Sequence, residues 1–544
     1  MPTPGSILLA ASGNSYYGGY GQNIGTKRKW FMVDILLIPL AMLYLLVVGM
    51  LFVYGINFFY MTWLAWRHGH ANSQKPKTMT STTMSDWPLV TVQIPIYNEM
   101  YVAERIINAV ARFDYPADKL EIQILDDSTD ETVDIVRMAV AHWQAQGVNI
   151  YHITRPNRDG FKAGALQNGL AQAKGEFIAM FDADFVPPPD FLQRTLPYFE
   201  PDIAFVQTRW GHVNRDYSLL TFLQSLAIDA HFVVEQFARW NGRYWFNFNG
   251  TAGIWRRQAL ADAGGWTADT LTEDLDISYR ALLRGWRARY LRDVEVPAEL
   301  PVSIVAFRRQ QHRWARGSLE CALKLGPQVL AAELPPMVKL EAILHLTGYC
   351  VHLLLFALSL LYPAVLLVSR QYPQLITLFG IAYVFNLTAL APTTFFIVGQ
   401  QQLHRRWWHS LPQILFITAV GSGLMINTVR AALQILVRRQ VQFERTAKFG
   451  VRRREEDWKT KRYQLRLDGI VFWELAFAGL NGTTVWFAIQ QHNWAIAFYA
   501  GIFLVGLLYV SGLTIFQAIA VYRRQRAFWL AHRRRPETPV NPAQ

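Results

Sequence analysis

The chain has 544 residues, too many for one compact domain, and carries a formal net charge of +13. Hydrophobic residues make up 52% of it and aromatic residues 14%, which is high for a soluble enzyme. Two cysteines, Cys321 and Cys350, exclude a disulfide framework and a thiolate metal cluster. Arginine clusters flank apolar stretches and no nucleic-acid-binding motif accompanies them, so the charge indicates a lipid bilayer as partner and no nucleic acid.

The N-terminal part of the chain predicts a membrane anchor. Residues 1–30 form a Gly/Ser/Tyr-rich tail, predicted to be unstructured, without the apolar core or cleavage site of a signal peptide. No charged residue occurs from Ile35 to Trp66, and this run predicts one long, tilted transmembrane helix over 31–66. A polar linker follows at 67–87.

Residues 88–302 show the alternation of strand-like and helical patterns that is typical of an α/β domain built from βαβ units. The strand-like runs are Leu89–Ile96, Glu121–Leu125, Val148–Ile153, Glu176–Phe181 and Ile203–Gln207. Neither the GxGxxG loop nor the GxxxxGK[ST] loop is present, which disfavours a dinucleotide-dependent dehydrogenase and a P-loop enzyme.

The C-terminal half is predicted to return to the membrane. Arginines among aromatic residues predict interface helices over 303–340. Long uncharged runs predict two transmembrane helices within 341–404 and two more within 468–523. A basic tail ends the chain at 524–544.

The segment 405–437 carries a further apolar run, at 407–429, with basic residues on both sides. If that run crossed the bilayer, one basic flank would lie outside, against the positive-inside rule, so we interpret it as an in-plane or re-entrant helix. This leaves about five crossings. The protein is therefore predicted to be a multi-pass protein of the cell membrane, with the α/β domain and the basic tail in the cytoplasm.

Pairs of acidic residues follow two of the predicted strands. Asp182 and Asp184 come after the run that ends at Phe181, and Asp126 and Asp127 close an earlier one. In an open α/β sheet, ligands bind beyond the carboxyl ends of the strands. Two carboxylates one residue apart can share a hard divalent cation, which can hold a diphosphate, although an isolated Asp-x-Asp is more often a solvated turn.

Three further polar residues are candidates for the same edge of the sheet. Glu99 follows the first strand, and Lys162 opens a helix whose positive dipole end could meet a phosphate, although an exposed lysine is the better explanation of this motif alone. Asp274 stands in Thr-Glu-Asp before a helical run. A carboxylate there is either a helix cap or a general base for a substrate hydroxyl.

The sequence Gln310-Gln-His-Arg313-Trp314 combines an amide, a cation and an indole. On a helix, Gln310 and Trp314 share one face. An indole face can stack on a sugar ring, and arginine can neutralise diphosphate oxygens. The alternative is an interfacial Arg/Trp anchor.

These motifs together resemble those of the processive, inverting family-2 glycosyltransferases. Asp-Asp (126–127), Asp-x-Asp (182–184), Thr-Glu-Asp (272–274) and Gln-x-x-Arg-Trp (310–314) stand in that family's order and spacing. The sequence is most similar to the cellulose-synthase-like mannan and glucan synthases, and also resembles the catalytic subunit of bacterial cellulose synthase. The resemblance runs from about residue 89 to 316 and implies a GT-A-type α/β cytoplasmic domain joined to an α-helical transmembrane region.

The resemblance implies a hexosyltransferase that uses UDP-glucose or GDP-mannose and Mg²⁺ or Mn²⁺. Its product would be a growing β-1,4-linked glucan or mannan, which it would also translocate. The implied roles are Asp274 as general base, Asp182 and Asp184 as metal ligands, Glu99, Asp126, Asp127, Lys162 and Asp182 at the nucleotide sugar, and Gln310, Arg313 and Trp314 at the acceptor polysaccharide.

Phe443–Gly450 resembles the gating loop of cellulose synthases, which folds over the nucleotide, with Thr446 and Lys448 as its site residues. The alternative enzyme is a non-processive transferase that glycosylates a membrane lipid. A transporter or scaffold with an inactive transferase domain is disfavoured, because every expected carboxylate is present.

Overall fold

The computed structural model describes residues 22–69, 87–372, 386–439, 444–464 and 467–533. Outside the described residues lie the first part of the predicted N-terminal tail (1–21), most of the predicted linker (70–86), residues 373–385 of the second helix predicted within 341–404, residues 440–443 with Phe443, residues 465–466, and the end of the basic tail (534–544).

A seven-stranded mixed sheet forms the centre of the α/β domain. Its strands are β1 (Val90–Ile96), β2 (Leu120–Asp126), β3 (Ile150–Ile153), β4 (Phe177–Met180), β5 (Ile203–His212), β6 (Gly253–Arg256) and β7 (Arg287–Ala298). They lie in the order β3-β2-β1-β4-β6-β5-β7, with β1 to β4 parallel and β6 antiparallel to both of its neighbours. All five predicted runs are strands, and the parallel ones end at one edge of the sheet.

Helices cover both faces of the sheet. Those of the domain are α2 (Ala103–Val110), α3 (Thr132–Ala145), α4 (Phe161–Gln172), α5 (Phe191–Thr195), α6 (Leu219–Ala230), α7 (Phe237–Asn241), α8 (Arg257–Asp262) and α9 (Glu273–Leu283), after the N-terminal helix α1 (Gln22–His68). A π-helical turn, His231–Gln236, joins α6 to α7. One apolar core lies between the sheet and α2 and α3, and a second lies under α4, α7 and α8. This layering buries both faces of the strands, as their continuous apolar runs predict.

The remaining helices follow the domain. They are α10 (Ile304–Ala331), α11 (Pro336–Leu346), α12 (Cys350–Gln371), α13 (Ala391–Gln402), α14 (Leu411–Gly423), α15 (Met425–Leu436), α16 (Ile470–Gln490) and α17 (Trp494–Arg533). Among the described residues, four helical stretches are long and apolar enough to cross a membrane: Pro39–His68, Cys350–Gln371, Trp407–Leu436 and Trp494–Ala527. These stretches indicate a membrane protein.

The described residues differ from the predicted layout at the N-terminal tail and in the candidate spans, which include only one helix within 341–404 and one within 468–523, where two each are predicted. Helix α1 begins at Gln22, so residues 22–30 are helical and not unstructured as predicted; helix propagation is easy once a turn has formed, and no proline interrupts this part. The stretch Trp407–Leu436 qualifies as a span by length and composition, but it breaks at Leu424, between α14 and α15. Its in-plane or re-entrant course stays a prediction, because length and composition give no direction.

Helix α1 and the α/β domain share one core. Met61, Leu64 and Ala65, near the end of α1, pack with buried residues of the domain, and the hydroxyl groups of Tyr60 and Tyr244 lie 2.7 Å apart. The domain is therefore fixed rigidly to the apolar helix that precedes it.

Candidate active site

A cavity opens where β1, β2 and β4 end. It brings together every predicted site residue except Asp126, namely Glu99, Asp127, Lys162, Asp182, Asp184, Asp274, Gln310, Arg313, Trp314, Thr446 and Lys448. Elements more than 300 residues apart in the sequence thus contribute to one site.

The two aspartates of the Asp-x-Asp motif each pair with a lysine. Asp182 Oδ1 lies 2.6 Å from Lys162 Nζ, and Asp184 Oδ2 lies 2.6 Å from Lys448 Nζ. The backbone N–H of Asp182 donates to Thr251 Oγ1 at 2.8 Å. The side chain of Asp182 is 36% exposed and that of Asp184 only 7%, so Asp182 is the more accessible acid in the cavity.

The surrounding charges suit a hard divalent cation. Burial raises the pKa of Glu99 to about 7; Arg445 opposes this rise, and the carboxylates of Asp184 and Asp182 add to it. Among the described residues, no group of three acidic, histidine or cysteine side chains forms a ready-made metal cage. Two carboxylates one residue apart can hold Mg²⁺ or Mn²⁺ when phosphate oxygens and water complete its shell, so the donor set of Asp182 and Asp184 fits this role.

Asp274 stands in the first turn of α9. Burial raises its pKa to about 7; Glu273 adds to the rise and Lys162 opposes it. Its Oδ1 accepts a 2.8 Å bond from the N–H of Leu275. Gly250, with a φ of +76°, lies so close that a Cβ there would be 2.9 Å from Asp274 Oδ2, so only glycine leaves this oxygen its space. A carboxylate with a pKa near neutrality is suited to accept a proton.

Helix α10 presents Gln310, Arg313 and Trp314 to the cavity from one face. Gly317 allows this approach, because a Cβ there would lie 2.5 Å from Thr272 Oγ1, just before α9. Burial lowers the pKa of Arg313, and the acidic side chains around it counteract this effect. The helix therefore adds an amide, a cation and an indole beside Asp274.

Residues 444–464, here called the covering segment, close one side of the cavity. Lys448 Nζ donates to the carbonyl of Glu299 at 2.5 Å, and Glu299 Oε1 accepts bonds from the N–H groups of Phe449 (2.8 Å) and Gly450 (3.1 Å). Arg313 Nη1 donates to the carbonyl of Glu444 at 3.0 Å. The covering segment is thus bonded to Glu299, directly after β7, and to Arg313 of α10.

The comparisons with known proteins agree with this geometry. The family described as "Glycosyltransferase like family 2" matches residues 88–317. Residues 88–317 are thus similar to a family-2 glycosyltransferase domain. This match confirms the predicted family, and the mixed sheet confirms the predicted GT-A-type α/β fold.

The chain is similar to curated plant proteins. Glucomannan 4-beta-mannosyltransferase 2 of Arabidopsis thaliana is 42% identical over 298 residues, which are 52% of this chain and 56% of that protein. Glucomannan 4-beta-mannosyltransferase 1 of Oryza sativa subsp. japonica is 47% identical over 239 residues, 43% of this chain and 46% of that protein. The chain thus spans about half the length of these curated relatives.

Among solved structures, a mannosyltransferase from Pyrobaculum calidifontis in complex with GDP-Man and Mn²⁺ is 21% identical, with a TM-score of 0.46. The similarity covers 74% of this chain and 100% of that one.

Asp126 is the one predicted site residue of the transferase domain that lies outside the cavity. Its side chain is fully buried, with Oδ2 2.9 Å from His152 Nε2 and Oδ1 accepting the N–H of Ser128 at 2.9 Å. Its position therefore does not support the predicted contact with a nucleotide. Neighbouring residues at a strand end point in opposite directions, and Asp127, paired with Arg155 Nε at 2.7 Å, lines the cavity instead.

The sequence motifs did not single out Glu299, Arg158 or Arg445, all of which line the transferase cavity. Arg158 lies 3.4 Å from the centre of the Tyr97 ring, as a stacked cation. Glu299 could have been found from its position directly after β7, a strand with an alternating pattern. β7 was not among the predicted strands, so this signal was missed.

Proposed function

We propose that this protein is a membrane-embedded, inverting β-glycosyltransferase that adds hexose from a nucleotide sugar to a growing β-1,4-linked glycan. The observation that carries the proposal is the single cavity in which the Asp-x-Asp pair, Asp274 and the Gln310–Trp314 face lie together. The names of its plant relatives favour GDP-mannose as donor, with UDP-glucose as the second choice.

The donor would lie along the ends of β1, β2 and β4. Asp127 and Arg158 flank the place for the nucleoside, and Lys162 offers its ammonium group to the diphosphate. Asp182 and Asp184 are the residues that would hold Mg²⁺ or Mn²⁺. When bound, such a cation offsets the negative charge that develops on the leaving diphosphate.

Asp274 would accept the proton of the acceptor hydroxyl. The hydroxyl oxygen attacks the anomeric carbon of the donor from the side opposite the diphosphate, a new C–O bond forms, and the bond to the phosphate oxygen breaks. The nucleoside diphosphate leaves with its electron pair, and the α-linked donor gives a β-linked product. The raised pKa of Asp274 suits this role, because a base works best with a pKa near the working pH.

The acceptor would enter along α10. The Trp314 indole can stack on the terminal sugar ring, while Gln310 can bond its hydroxyl groups. Arg313 links this face to the covering segment, so acceptor and donor would be enclosed together. Enclosure excludes water, which would otherwise hydrolyse the donor.

A donor screen tests the proposal. Purified full-length protein is incubated with Mn²⁺ and either GDP-mannose or UDP-glucose, and both nucleotide release and incorporation of hexose into polymer are measured. We expect polymer from one donor and a strong preference over the other. Nucleotide release without any transfer, or a single sugar added to lipid, would contradict a polysaccharide synthase.

A further inference from the structure

The last helix, α17, has an inner face that is bonded to the rest of the molecule. Thr514 Oγ1 accepts a 2.7 Å bond from Arg308 of α10, and Gln517 Oε1 accepts the N–H of Ile304, at the start of α10, at 2.9 Å. One turn further along, Val521 packs against buried residues of the covering segment. This face of α17 therefore belongs to the interior of the protein.

The inner face continues to Arg524, whose Nε lies 3.5 Å from Asp457 Oδ2 in the covering segment. Thr514, Gln517, Val521 and Arg524 recur every three or four residues, which places them on one side of a helix. Because the covering segment closes the cavity, the end of α17 lies on the side of the molecule that carries the α/β domain.

The opposite, outer face of α17 is exposed and changes its character along the helix. The side chains of Phe516, Ile519 and Tyr522 are 69%, 46% and 65% exposed. Arg523 and Arg526 follow on the same face and are exposed as well, and neither has an ion-pair partner in the part of the chain that the structure describes. Within about three turns, the outer face thus passes from apolar through aromatic to cationic.

An open groove follows this outer face. All the described residues that line it belong to α17, and they are Ala518, Ile519, Tyr522, Arg523, Arg526 and Ala527. Arg523 and Arg526 are three positions apart, so their Cβ atoms are neighbours on the helix surface, about 5–6 Å from each other. At this spacing both guanidinium groups can donate to the oxygens of one phosphate.

A membrane lipid with an acidic headgroup fits this order of side chains. Its acyl chains would lie along Phe516 and Ile519, and a tyrosine such as Tyr522 favours the boundary between hydrocarbon and headgroups. Two arginines at headgroup level favour a net negative lipid over a zwitterionic one, whose own cation they would repel. A soluble anion could contact the arginines but would leave the apolar part of the groove in water.

We propose that the outer face of α17, from Phe516 to Arg526, binds one acidic glycerophospholipid of the leaflet beside the α/β domain, with the lipid phosphate between Arg523 and Arg526. Arg524 points the other way and contacts the covering segment, so the lipid binds directly behind that contact. The inference goes beyond the proposed function and holds whichever sugar the protein transfers.

The test measures lipid binding to purified full-length protein in detergent by native mass spectrometry. Phosphatidylglycerol and phosphatidylcholine are titrated separately, and we expect one phosphatidylglycerol to bind at concentrations at which phosphatidylcholine does not. Arg523→Gln and Arg526→Gln should each weaken phosphatidylglycerol binding about fivefold, and the double variant should weaken it more than about tenfold, because each cation at the headgroup adds a similar attraction.

Arg524→Gln is the matched control. It removes the same charge from the same turn of α17, but from the inner face, so phosphatidylglycerol binding should stay within about twofold of the wild type. Glycerol phosphate, which has the anionic group without acyl chains, serves as a competitor and should not displace the lipid at equal concentration.

Several results would overturn the inference. Equal weakening in all three single variants would show a general attraction to the basic helix end and no site on its outer face. Equal binding of the two lipids by the wild type, unchanged binding in the double variant, or displacement by glycerol phosphate would each exclude the acidic lipid site. Since the readout is lipid binding and not hexose transfer, these results are distinguishable from a failure of the proposed function.

Discussion

Asp274 changes protonation near neutral pH. Burial, reinforced by Glu273, raises its pKa to about 7, and the pKa of Glu99 is raised to about 7 in the same cavity. A base must be deprotonated to act, so acid should inactivate the enzyme.

We therefore expect kcat/KM to be level above the raised pKa and to fall by about tenfold per pH unit below it. Asp274→Asn should lower transfer by roughly 10²–10⁴-fold, while nucleotide-sugar binding stays near normal, because the amide keeps the shape but cannot accept a proton. Initial rates across pH and equilibrium binding of the donor are the measurements. Near-normal turnover in the variant would remove Asp274 from the role of base.

The Asp182 and Asp184 pair should make transfer depend on a divalent cation. Chelation is expected to abolish activity and added Mn²⁺ or Mg²⁺ to restore it, because the leaving diphosphate needs a positive charge. Asp182→Asn and Asp184→Asn should weaken Mn²⁺ binding, measured by electron paramagnetic resonance with donor present. Asp190→Asn, a half-exposed acid on the loop that follows, is the control. Full activity in excess EDTA would refute this prediction.

At the scale of elements, the covering segment depends on one acid. Glu299 Oε1 accepts two backbone bonds from the segment, and Ala447, Phe449, Val451 and Trp458 pack with Val302 in a small core. Gly450 has a φ of +64°, and a Cβ added to it would lie 2.6 Å from the carbonyl oxygen of Tyr101. No larger residue therefore fits at this position.

Glu299→Ala should loosen the covering segment, because the buried N–H of Phe449 and the half-buried N–H of Gly450 lose their acceptor, at a cost of about 1–3 kcal/mol for a buried unsatisfied group. Glu299→Gln keeps an acceptor oxygen and should behave much more like the wild type. Trypsin cleavage within residues 452–454, which are three arginines, measures how often the segment opens. Equal cleavage rates in all three proteins would show that Glu299 does not hold the segment.

The elements also show what the sequence could reveal. The runs of β1, β2 and β4 are apolar because both faces of these strands are buried, so the sequence reveals them. Since the carboxyl ends of parallel strands meet at one edge of a sheet, the sequence also predicts that Asp182 and Asp127 lie at the same edge. β6 has only four residues, and β7 has half-exposed positions at the sheet edge, so neither gives a clear pattern. Which of Asp126 and Asp127 faces the cavity depends on a strand register that two adjacent acids do not indicate.

At the scale of the whole molecule, buried polar contacts join the site to the apolar helices. Arg308 of α10 lies 3.0 Å from Glu474 of α16 and donates to Thr514 Oγ1 of α17 at 2.7 Å. Polar residues of the apolar helices also bond between helices: His352 lies 3.0 Å from Thr428 Oγ1, and Asn481 Nδ2 donates to Ser359 Oγ at 2.8 Å. The path of the glycan through the membrane stays a prediction.

Translocation can be tested in sealed vesicles that carry the protein with its α/β domain outside. With the donor added outside, the polymer is expected in the lumen, because a glycan cannot cross hydrocarbon unaided and the acceptor helix α10 directly precedes the membrane-facing helices. Resistance of the product to an added glycanase, lost when detergent is present, is the measurement. Product that is fully digested without detergent would show that this chain alone does not translocate.

The anomeric configuration and linkage of the product test the central claim most directly. Wild-type protein and Asp274→Asn are supplied with the preferred donor and Mn²⁺, and the polymer is digested with an endo-β-1,4-mannanase or an endo-β-1,4-glucanase, according to the sugar. The proposed function predicts a β-1,4-linked polymer that the matching enzyme degrades, and at most a trace of it from the variant. An α-linked product, or equal amounts of polymer from both proteins, would contradict an inverting transferase with Asp274 as its base.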